Sequence, residues 1–232
     1  MSVFAVLDPA VGLAHDVVAT LAQLVPTALA IVLFTVCVRL ALHPLARAAA
    51  RGEKSRARLA PKISELNRKH KGKPEKLQAA LAELYREEKA SPFAGCLPML
   101  VQIPFFSVMY RLFTTPNDLL GHTLFGVPLG LHVGTAQDAA QWVVFGLLYA
   151  GLAAVAYSNF RRARRAQAAA PQQAAQPGMS FLPYLSFGTV LFAALVPLAA
   201  AVYLLTTSAW SAAERAWLHR GGTAPVSAVA LI

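Results

Sequence analysis

The chain has 232 residues, of which 56% are hydrophobic and only 14% charged, and its mean hydropathy is +0.50. Soluble domains carry about 25% charged residues, so this composition excludes an ordinary soluble domain and predicts a membrane protein. The net charge is +10, with 13 of the 21 Lys and Arg in residues 47–89, four in 161–165 and two at Arg215 and Arg220. Such clustering is typical of cytoplasmic loops and of attraction to anionic lipid or a ribosome, and it argues against DNA binding.

Residue types that carry enzymatic chemistry are sparse in this chain. The two cysteines, Cys37 and Cys96, lie in or beside apolar segments and support no disulfide framework. The six histidines lack the spacing of metal ligands, and no nucleophile or phosphate-binding motif is present. The N-terminus has neither a basic region nor a small-residue cleavage site, so no signal peptide is expected. The sequence therefore predicts a protein that is not an enzyme and that uses no metal or cofactor.

The N-terminal stretch 8–25 predicts a short amphipathic helix. Asp8 can cap this helix, and Pro9 suits its first position. An apolar stripe at helical spacing is formed by Val11, Ala14, Val18, Leu21 and Val25. Because residues 1–38 contain no Lys or Arg, we expect this helix to lie in the membrane interface on the outer side. The alternative is a frayed terminus.

The segment from Thr27 to Pro44 is apolar enough to cross a bilayer and carries one charge, Arg39. About 20 apolar residues at about 1.5 Å rise span a hydrocarbon core of about 30 Å. A guanidinium near the middle of such a span costs from about 2.5 to about 10 kcal/mol or more, so it indicates a functional site by default. Two interpretations stay open: Arg39 lies in a water-filled cavity, or its long side chain extends to the headgroups.

Residues 47–90 change abruptly to a basic, polar composition with helical periodicity, and GKP at 72–74 divides them into two arms. Each arm carries an apolar stripe, formed by Leu59, Ile63 and Leu66 on the first and by Leu77, Leu81, Leu84 and Tyr85 on the second. Two such stripes predict an antiparallel helical hairpin in the cytosol, with Pro61 kinking or restarting the first arm. The alternative is a solvated basic loop.

A second span is predicted over residues 91–115, and it contains two polar groups. Gln102 lies in an apolar run and needs a hydrogen-bonding partner, which a neighbouring helix could supply. Arg111 lies near the outer end, where we expect its side chain to reach the headgroups.

A Gly-rich outer loop is predicted over 116–139, with an apolar patch at 124–131 that suits the interface. A third span follows over 140–160, and the basic run directly after it is a strong inner anchor. Residues 161–178 then predict a cytoplasmic linker, since they end in repeats of Ala, Gln and Pro.

The region 179–213 has no charged residue over 35 positions. One helix of that length would exceed about 50 Å, well beyond a bilayer. We therefore divide it at Pro197 into two spans joined by a tight outer turn. Five spans with the N-terminus outside place all the basic clusters inside.

The predicted fold is thus an all-α, five-span membrane protein. Its segments in chain order are an outer helix at 1–26, span 1 at 27–46, a cytoplasmic hairpin at 47–90, span 2 at 91–115, an outer loop at 116–139, span 3 at 140–160, a linker at 161–178, spans 4 and 5 at 179–197 and 198–216, and a cytoplasmic tail at 217–232.

Three stretches resemble the YidC-type membrane protein insertases, a family that includes the mitochondrial and chloroplast insertases. TVCVRLALHPL (35–45) is similar to the family's first core span, and LAPKISEL (59–66) is similar to its cytoplasmic hairpin. LYREEKASPFAGCLPMLVQIPFF (84–106) resembles its most specific motif, which leads into the second core span. The resemblance covers about residues 10–220 and suggests a minimal core form without the large outer domain of Gram-negative members.

The resemblance implies five helices around a hydrophilic groove that is open to the cytosol and to lipid and closed on the outside. It makes Arg39 the positive charge of this groove, with Thr35 one turn before it on the same face. It assigns Gln102, Tyr203 and Ser208 to polar groove positions. In the implied mechanism, Arg39 attracts an acidic or polar tail of a nascent membrane protein, and the wet cavity lowers the desolvation cost. The client's apolar segment then enters lipid without ATP.

The resemblance also implies a bacterial plasma membrane location, with the N-terminus outside and the C-terminus cytoplasmic. The implied partners are nascent membrane proteins and lipid, with the ribosome, Sec translocon and signal-recognition machinery contacting the basic hairpin and tail. Two other functions stay open. One is an assembly factor that helps membrane proteins fold without inserting them. The other is a small transporter with Arg39 as an anion site, although no inverted repeat supports it.

Overall fold

A computed structural model describes residues 7–88, 97–169 and 179–218 of the chain. Its α-helices are α1 Asp8–Ala22, α2 Thr27–Ala41, α3 His43–Lys69, α4 Pro74–Glu87, α5 Leu97–Thr114, α6 Ala139–Ala169, α7 Gly188–Ala193 and α8 Leu198–Leu218. Two short antiparallel strands, β1 Thr123–Leu124 and β2 Val127–Pro128, and three 3-10 helices, Asp118–Gly121, Val133–Thr135 and Met179–Phe187, complete the described elements. The mostly helical structure agrees with the predicted all-α class.

One helix in the described part of the chain, Ala139–Ala168, is long and apolar enough to cross a membrane by length and composition. The consecutive helices Thr27–Ala41 and His43–Gly52 pass the same test as a pair, but they are bent by 54°. The predicted count of five spans therefore stays a prediction.

Helix α1 packs its apolar stripe against the core, with Ala14 and Val18 buried. Asp8 does not cap this helix, because Leu7 is the N-cap residue and Asp8 is the first helical residue. Instead, Arg111 Nη1 donates to Asp8 Oδ1 at 2.5 Å. Arg111 thus ties α5 to α1, and its contact with the headgroups stays a prediction.

The bend between α2 and α3 lies at Leu42, four residues before the predicted end of span 1. Pro44 is in the first turn of α3, where its missing N–H leaves no helical hydrogen bond to Leu40. A proline at this position suits the start of a new helix better than the continuation of α2. Helix α3, which contains the first predicted hairpin arm, therefore begins at His43, and the boundary between span and hairpin stays a prediction.

Helices α3 and α4 contact each other, and one residue from each predicted stripe is buried, Leu59 on α3 and Leu84 on α4. Lys62 Nζ and Arg58 Nη2, both on α3, pair with Glu88 at the end of α4, the latter at 3.3 Å. The Lys62 hydrogen bond lowers the pKa of Glu88 from its ordinary value. Helix α3 continues through Pro61 and does not restart there. The cytosolic placement of the two arms stays a prediction.

Two predicted boundaries shift in the second half of the chain. Helix α6 extends to Ala169, nine residues beyond the predicted end of span 3, because the Ala, Arg and Gln that follow are good helix formers. The predicted span 4 is not one α-helix but the 3-10 helix Met179–Phe187 followed by α7. Pro183 lies inside that 3-10 helix, where its missing N–H disfavours regular α-helical bonding.

The outer loop folds onto the start of α8. Leu198 N donates to Leu131 O at 2.9 Å and Ala199 N to Leu129 O at 2.8 Å, which satisfies two N–H groups that a helix leaves unpaired at its first turn. Positive φ angles at Phe125 and Gly126 turn the chain between β1 and β2. Val127 and Leu129 are buried, so this part of the predicted interfacial patch belongs to the core.

Candidate functional site

A polar cavity lies between α2, α6, α8 and the segment from the 3-10 helix Met179–Phe187 into α7. Eight of its eleven lining residues are polar: Arg39, Asn159, Ser186, Thr189, Thr207, Ser208, Ser211 and Arg215. Its empty volume is ≈ 380 Å³, counting the space at its open mouth. Hydroxyls, an amide and guanidinium groups suit the binding of a short polar or anionic segment.

Arg39 extends from α2 across the cavity to α8. Its Nε donates to Thr207 Oγ1 at 3.0 Å, and its Nη2 contacts the same hydroxyl. A threonine hydroxyl is neutral, so this contact orients the guanidinium without cancelling its charge. No carboxylate among the described residues forms an ion pair with Arg39, and Glu214 pairs with His43 instead. The cavity therefore presents a positive group with unused donor capacity.

The cavity face of α8 carries a stripe of polar residues. Thr207, Ser208, Ser211 and Arg215 are spaced by one, three and four residues, which places them on one side of a helix. Arg215 lies about 12 Å further along α8 than Thr207 at 1.5 Å per residue. The cavity wall thus has two cationic side chains, Arg39 and Arg215, linked by small hydroxyls.

The predicted site residues lie in different surroundings in the structure. Arg39 and Ser208 both line the cavity. Thr35 is fully buried, and its hydroxyl donates to Ile31 O at 2.7 Å, which satisfies it within its own helix. The Gln102 side chain lies outside the described residues.

Tyr203 lies in the packed layer beside the cavity and is 1% exposed. Its ring centroid is 6.1 Å from that of Phe105 and 6.2 Å from that of Phe113. Its buried hydroxyl has no well-formed hydrogen bond in the described part of the chain, and Thr207 and Arg39 lie near it. Tyr203 thus packs beside the cavity, next to the Arg39–Thr207 contact, and its place in the groove stays a prediction.

Sequence reasoning missed several cavity residues, above all Thr207, the partner of Arg39. The signal for α8 was present, because hydroxyl residues at 207, 208 and 211 followed by Arg215 form a polar face in an otherwise apolar segment. Asn159 was also a polar residue inside a predicted span. Ser186 and Thr189 gave no such signal, since their placement depends on the junction of a 3-10 helix with α7.

Two basic residues interpreted as topology anchors also contact this region. Arg162 Nη1 donates to Ala212 O at 2.7 Å, which ties α6 to α8. Arg215 lines the cavity. Among the described residues, no group of three or more His, Cys, Asp or Glu could hold a metal ion.

Comparison with known proteins gives one consistent result. The chain matches the family model of the 60Kd inner membrane protein over residues 20–224, a range that contains every cavity residue. Proteins named membrane protein insertase YidC from Pelagibacter ubique, Helicobacter pylori and Caulobacter vibrioides are 46%, 45% and 39% identical over 121, 90 and 98 residues.

Those matches cover 52%, 39% and 42% of this chain, and 21%, 16% and 16% of the respective relatives. The matched segments thus span about a fifth of the relatives' length or less. The family model, in contrast, covers most of the chain. The protein therefore belongs to the 60Kd inner membrane protein family, the family of the YidC-type proteins.

Proposed function

We propose that this protein is a membrane protein insertase and chaperone, and that the cavity around Arg39 receives a polar or acidic tail of each client. The observation that carries this proposal is the placement of Arg39 among polar side chains, held by the neutral hydroxyl of Thr207. The printed names of the relatives, membrane protein insertase YidC, support the same activity.

Electrostatics explains how such a cavity would lower the barrier to insertion. An acidic residue at the centre of a bilayer costs about 2.5–3.5 kcal/mol on insertion scales. Two opposite unit charges about 4 Å apart gain about 4 kcal/mol at an effective dielectric constant of about 20. One contact with Arg39 is thus comparable to the cost of bringing one carboxylate to membrane depth, and the cavity hydroxyls replace part of its hydration.

The energy for the step would come from the client itself. Each Leu, Ile, Phe or Val in a client helix gains about 0.3–0.6 kcal/mol at the membrane centre. A span of about 20 such residues exceeds the residual cost of its polar tail, so no nucleotide is required. The cavity changes the rate of insertion, and the hydrophobic transfer sets its direction.

The proposed topology is five spans, with the N-terminus outside and the C-terminus in the cytoplasm of a bacterial plasma membrane. The charge distribution supports it, because 13 of 21 Lys and Arg lie in residues 47–89 and none lies in 112–160. Helix α1 would lie in the outer interface, and α3 and α4 would form the cytosolic hairpin. This hairpin and the basic tail would contact the ribosome, the Sec translocon or the signal-recognition machinery.

Complementation of an insertase-depleted bacterium tests the proposal. Wild type should restore growth, and Arg39→Ala should fail although it accumulates in the membrane to the same level. Arg39→Lys should keep much of the activity, because the positive charge carries the proposed attraction. Arg111→Ala is a matched control that removes a guanidinium from α5, and it should still restore growth.

Each other outcome has a definite meaning. Rescue by Arg39→Ala as good as that by wild type would contradict the role of Arg39. If wild type and all variants accumulate normally but none restores growth, the result would contradict insertion and favour an assembly factor that helps membrane proteins fold. Loss of activity in well-folded Arg39→Lys would show that guanidinium geometry matters more than charge.

A further inference from the structure

A second polar contact between the start of α3 and α8 lies beyond the cavity. His43 Nδ1 donates to Glu214 Oε1 at 2.5 Å. The Glu214 side chain is 11% exposed and that of His43 is 26% exposed. The His43 ring also packs against Trp217 at 5.7 Å between centroids, and Arg47 lies over the same indole at 5.3 Å. Glu214 is thus a nearly buried carboxylate with one defined side-chain partner.

This contact follows the Arg39–Thr207 contact along the same two chain segments. Arg39 and His43 are four residues apart, on either side of the bend at Leu42. Thr207 and Glu214 are seven residues apart on α8, which is about two turns on nearly the same face. The two contacts are therefore consecutive cross-links, and Glu214 lies about 10 Å along the helix axis from the hydroxyl that holds Arg39.

Glu214 lies on α8 between Ser211 and Arg215, which both line the cavity that holds Arg39. A carboxylate with so little access to water needs a hydrogen-bonding or ionic partner. If it lost His43, the long side chain of Arg39 could supply a two-pronged ion pair. Such a pair would occupy the guanidinium and cancel the charge of the cavity.

We propose that His43 is a positioning residue that keeps Glu214 away from Arg39, so that the cavity's cation stays available to the acidic part of a client. This inference rests on the proposed insertase function. It assigns a role to His43 and Glu214 that depends on charge and not only on packing. Two other cations could also pair with Glu214: Arg47, which lies over the neighbouring Trp217, and Arg215, the next residue in sequence. A direct observation of Arg39 distinguishes these cases.

The first test is a mutant cycle in proteoliposomes, with the initial insertion rate of a client that carries an acidic tail. His43→Leu should lower this rate about tenfold, which is within the range of coupling between contacting residues. Glu214→Gln and the double variant His43→Leu/Glu214→Gln should stay within about twofold of wild type. His43→Asn, whose amide can donate from near the Nδ1 position, should restore much of the rate.

The pattern across the cycle decides between charge and packing. A double variant as slow as His43→Leu would overturn the proposal, because packing alone would then explain the loss. An unchanged rate in His43→Leu would overturn it as well. A client whose acidic residues are replaced by glutamine should insert equally well with wild type and His43→Leu, and a loss there would also contradict the charge argument.

The second test observes Arg39 without any client. Selective ¹⁵N-arginine labelling in detergent gives an Nε–H resonance for Arg39, assigned by its disappearance in Arg39→Lys. This resonance should shift in His43→Leu and return close to its wild-type position in the double variant. An unshifted resonance in His43→Leu overturns the proposal whatever the insertion rates are. The proposed function fails separately, if Arg39→Ala inserts acidic-tailed clients as fast as wild type.

Discussion

The two halves of α8 have opposite surroundings. Residues 198–204 are all buried, and the first two N–H groups of the helix donate to carbonyls of the outer loop. In the second half, Thr207, Ser208, Ser211 and Arg215 line the polar cavity. One continuous helix thus passes from a packed apolar environment to a polar cavity. The difference shows that a change of residue type along a single helix can set where a polar cavity ends.

The packing at the boundary makes this change abrupt. Tyr203 fills the space between Phe105 and Phe113 one turn before Thr207. The Arg39–Thr207 contact lies directly beyond it. A bulky aromatic side chain followed by a small hydroxyl residue is therefore the feature that separates the two halves.

The largest effect is expected for Tyr203→Ala, which removes the aromatic side chain at the boundary between the two halves of α8. Removing a fully buried aromatic side chain leaves a cavity, and we expect the free energy of unfolding to fall by about 3–5 kcal/mol. Chemical or thermal unfolding in detergent measures this loss. Tyr203→Phe is the matched control and should lose only about 1 kcal/mol or less, because it keeps the ring that packs against Phe105 and Phe113. A large loss in Tyr203→Phe would instead indicate a polar role for this residue.

The contact between the loop at 116–139 and the start of α8 gives the next largest effect. Leu129 is fully buried and its carbonyl accepts from Ala199, so Leu129→Ala should lower the free energy of unfolding by about 2–4 kcal/mol. Phe125→Ala in the same loop is the control, since Phe125 is 85% exposed. The same unfolding assay measures both variants. Equal losses would contradict the buried packing of Leu129 and favour a loop that lies on the protein surface.

The sequence predicted the local parts of this comparison better than the long-range parts. Helical spacing gave the buried face of α1, and a charge inside an apolar segment drew attention to Arg39. The partner of Arg39 was not predictable from α2 alone, because Thr207 is 168 positions away. Thr35 and Tyr203 were expected in the groove, yet the former bonds within its own helix and the latter packs against two phenylalanines.

The loop at 116–139 shows why long-range contacts are harder to predict than local ones. Its glycines and short apolar patch are typical of a surface loop, so the sequence predicted contact with the interface. The loop becomes core because its carbonyls accept from the first turn of α8, and that requirement appears only when α8 and the loop are placed together. The same limit applies to the 3-10 helix Met179–Phe187, whose geometry depends on Pro183 and on packing against α6.

The smallest predicted effect is a pH dependence of stability that comes from the contact between α1 and the loop at 116–139. His15 Nε2 hydrogen-bonds Asp118 Oδ1 at 2.8 Å, which joins α1 to the outer loop, and Asp16 lies on the other side of the ring at 3.4 Å. The Asp118 hydrogen bond raises the pKa of His15 above 6.5 against a smaller opposing effect of burial, and Asp16 adds to the increase. The same bond lowers the pKa of Asp118 below 3.8.

The signs of these shifts fix the direction of the pH dependence. The His15 contribution to stability is fully present below pH 6.5 and is lost as pH rises through its raised pKa. The Asp118 contribution is present above pH 3.8 and is lost as pH falls through its lowered pKa. The melting temperature of wild type should therefore exceed that of Asp118→Asn by a small margin near about pH 5.5, and this margin should shrink near about pH 8.5. A margin that stays constant over this range, or one that persists when His15→Gln is the background, would show that the loop is held to α1 by packing alone.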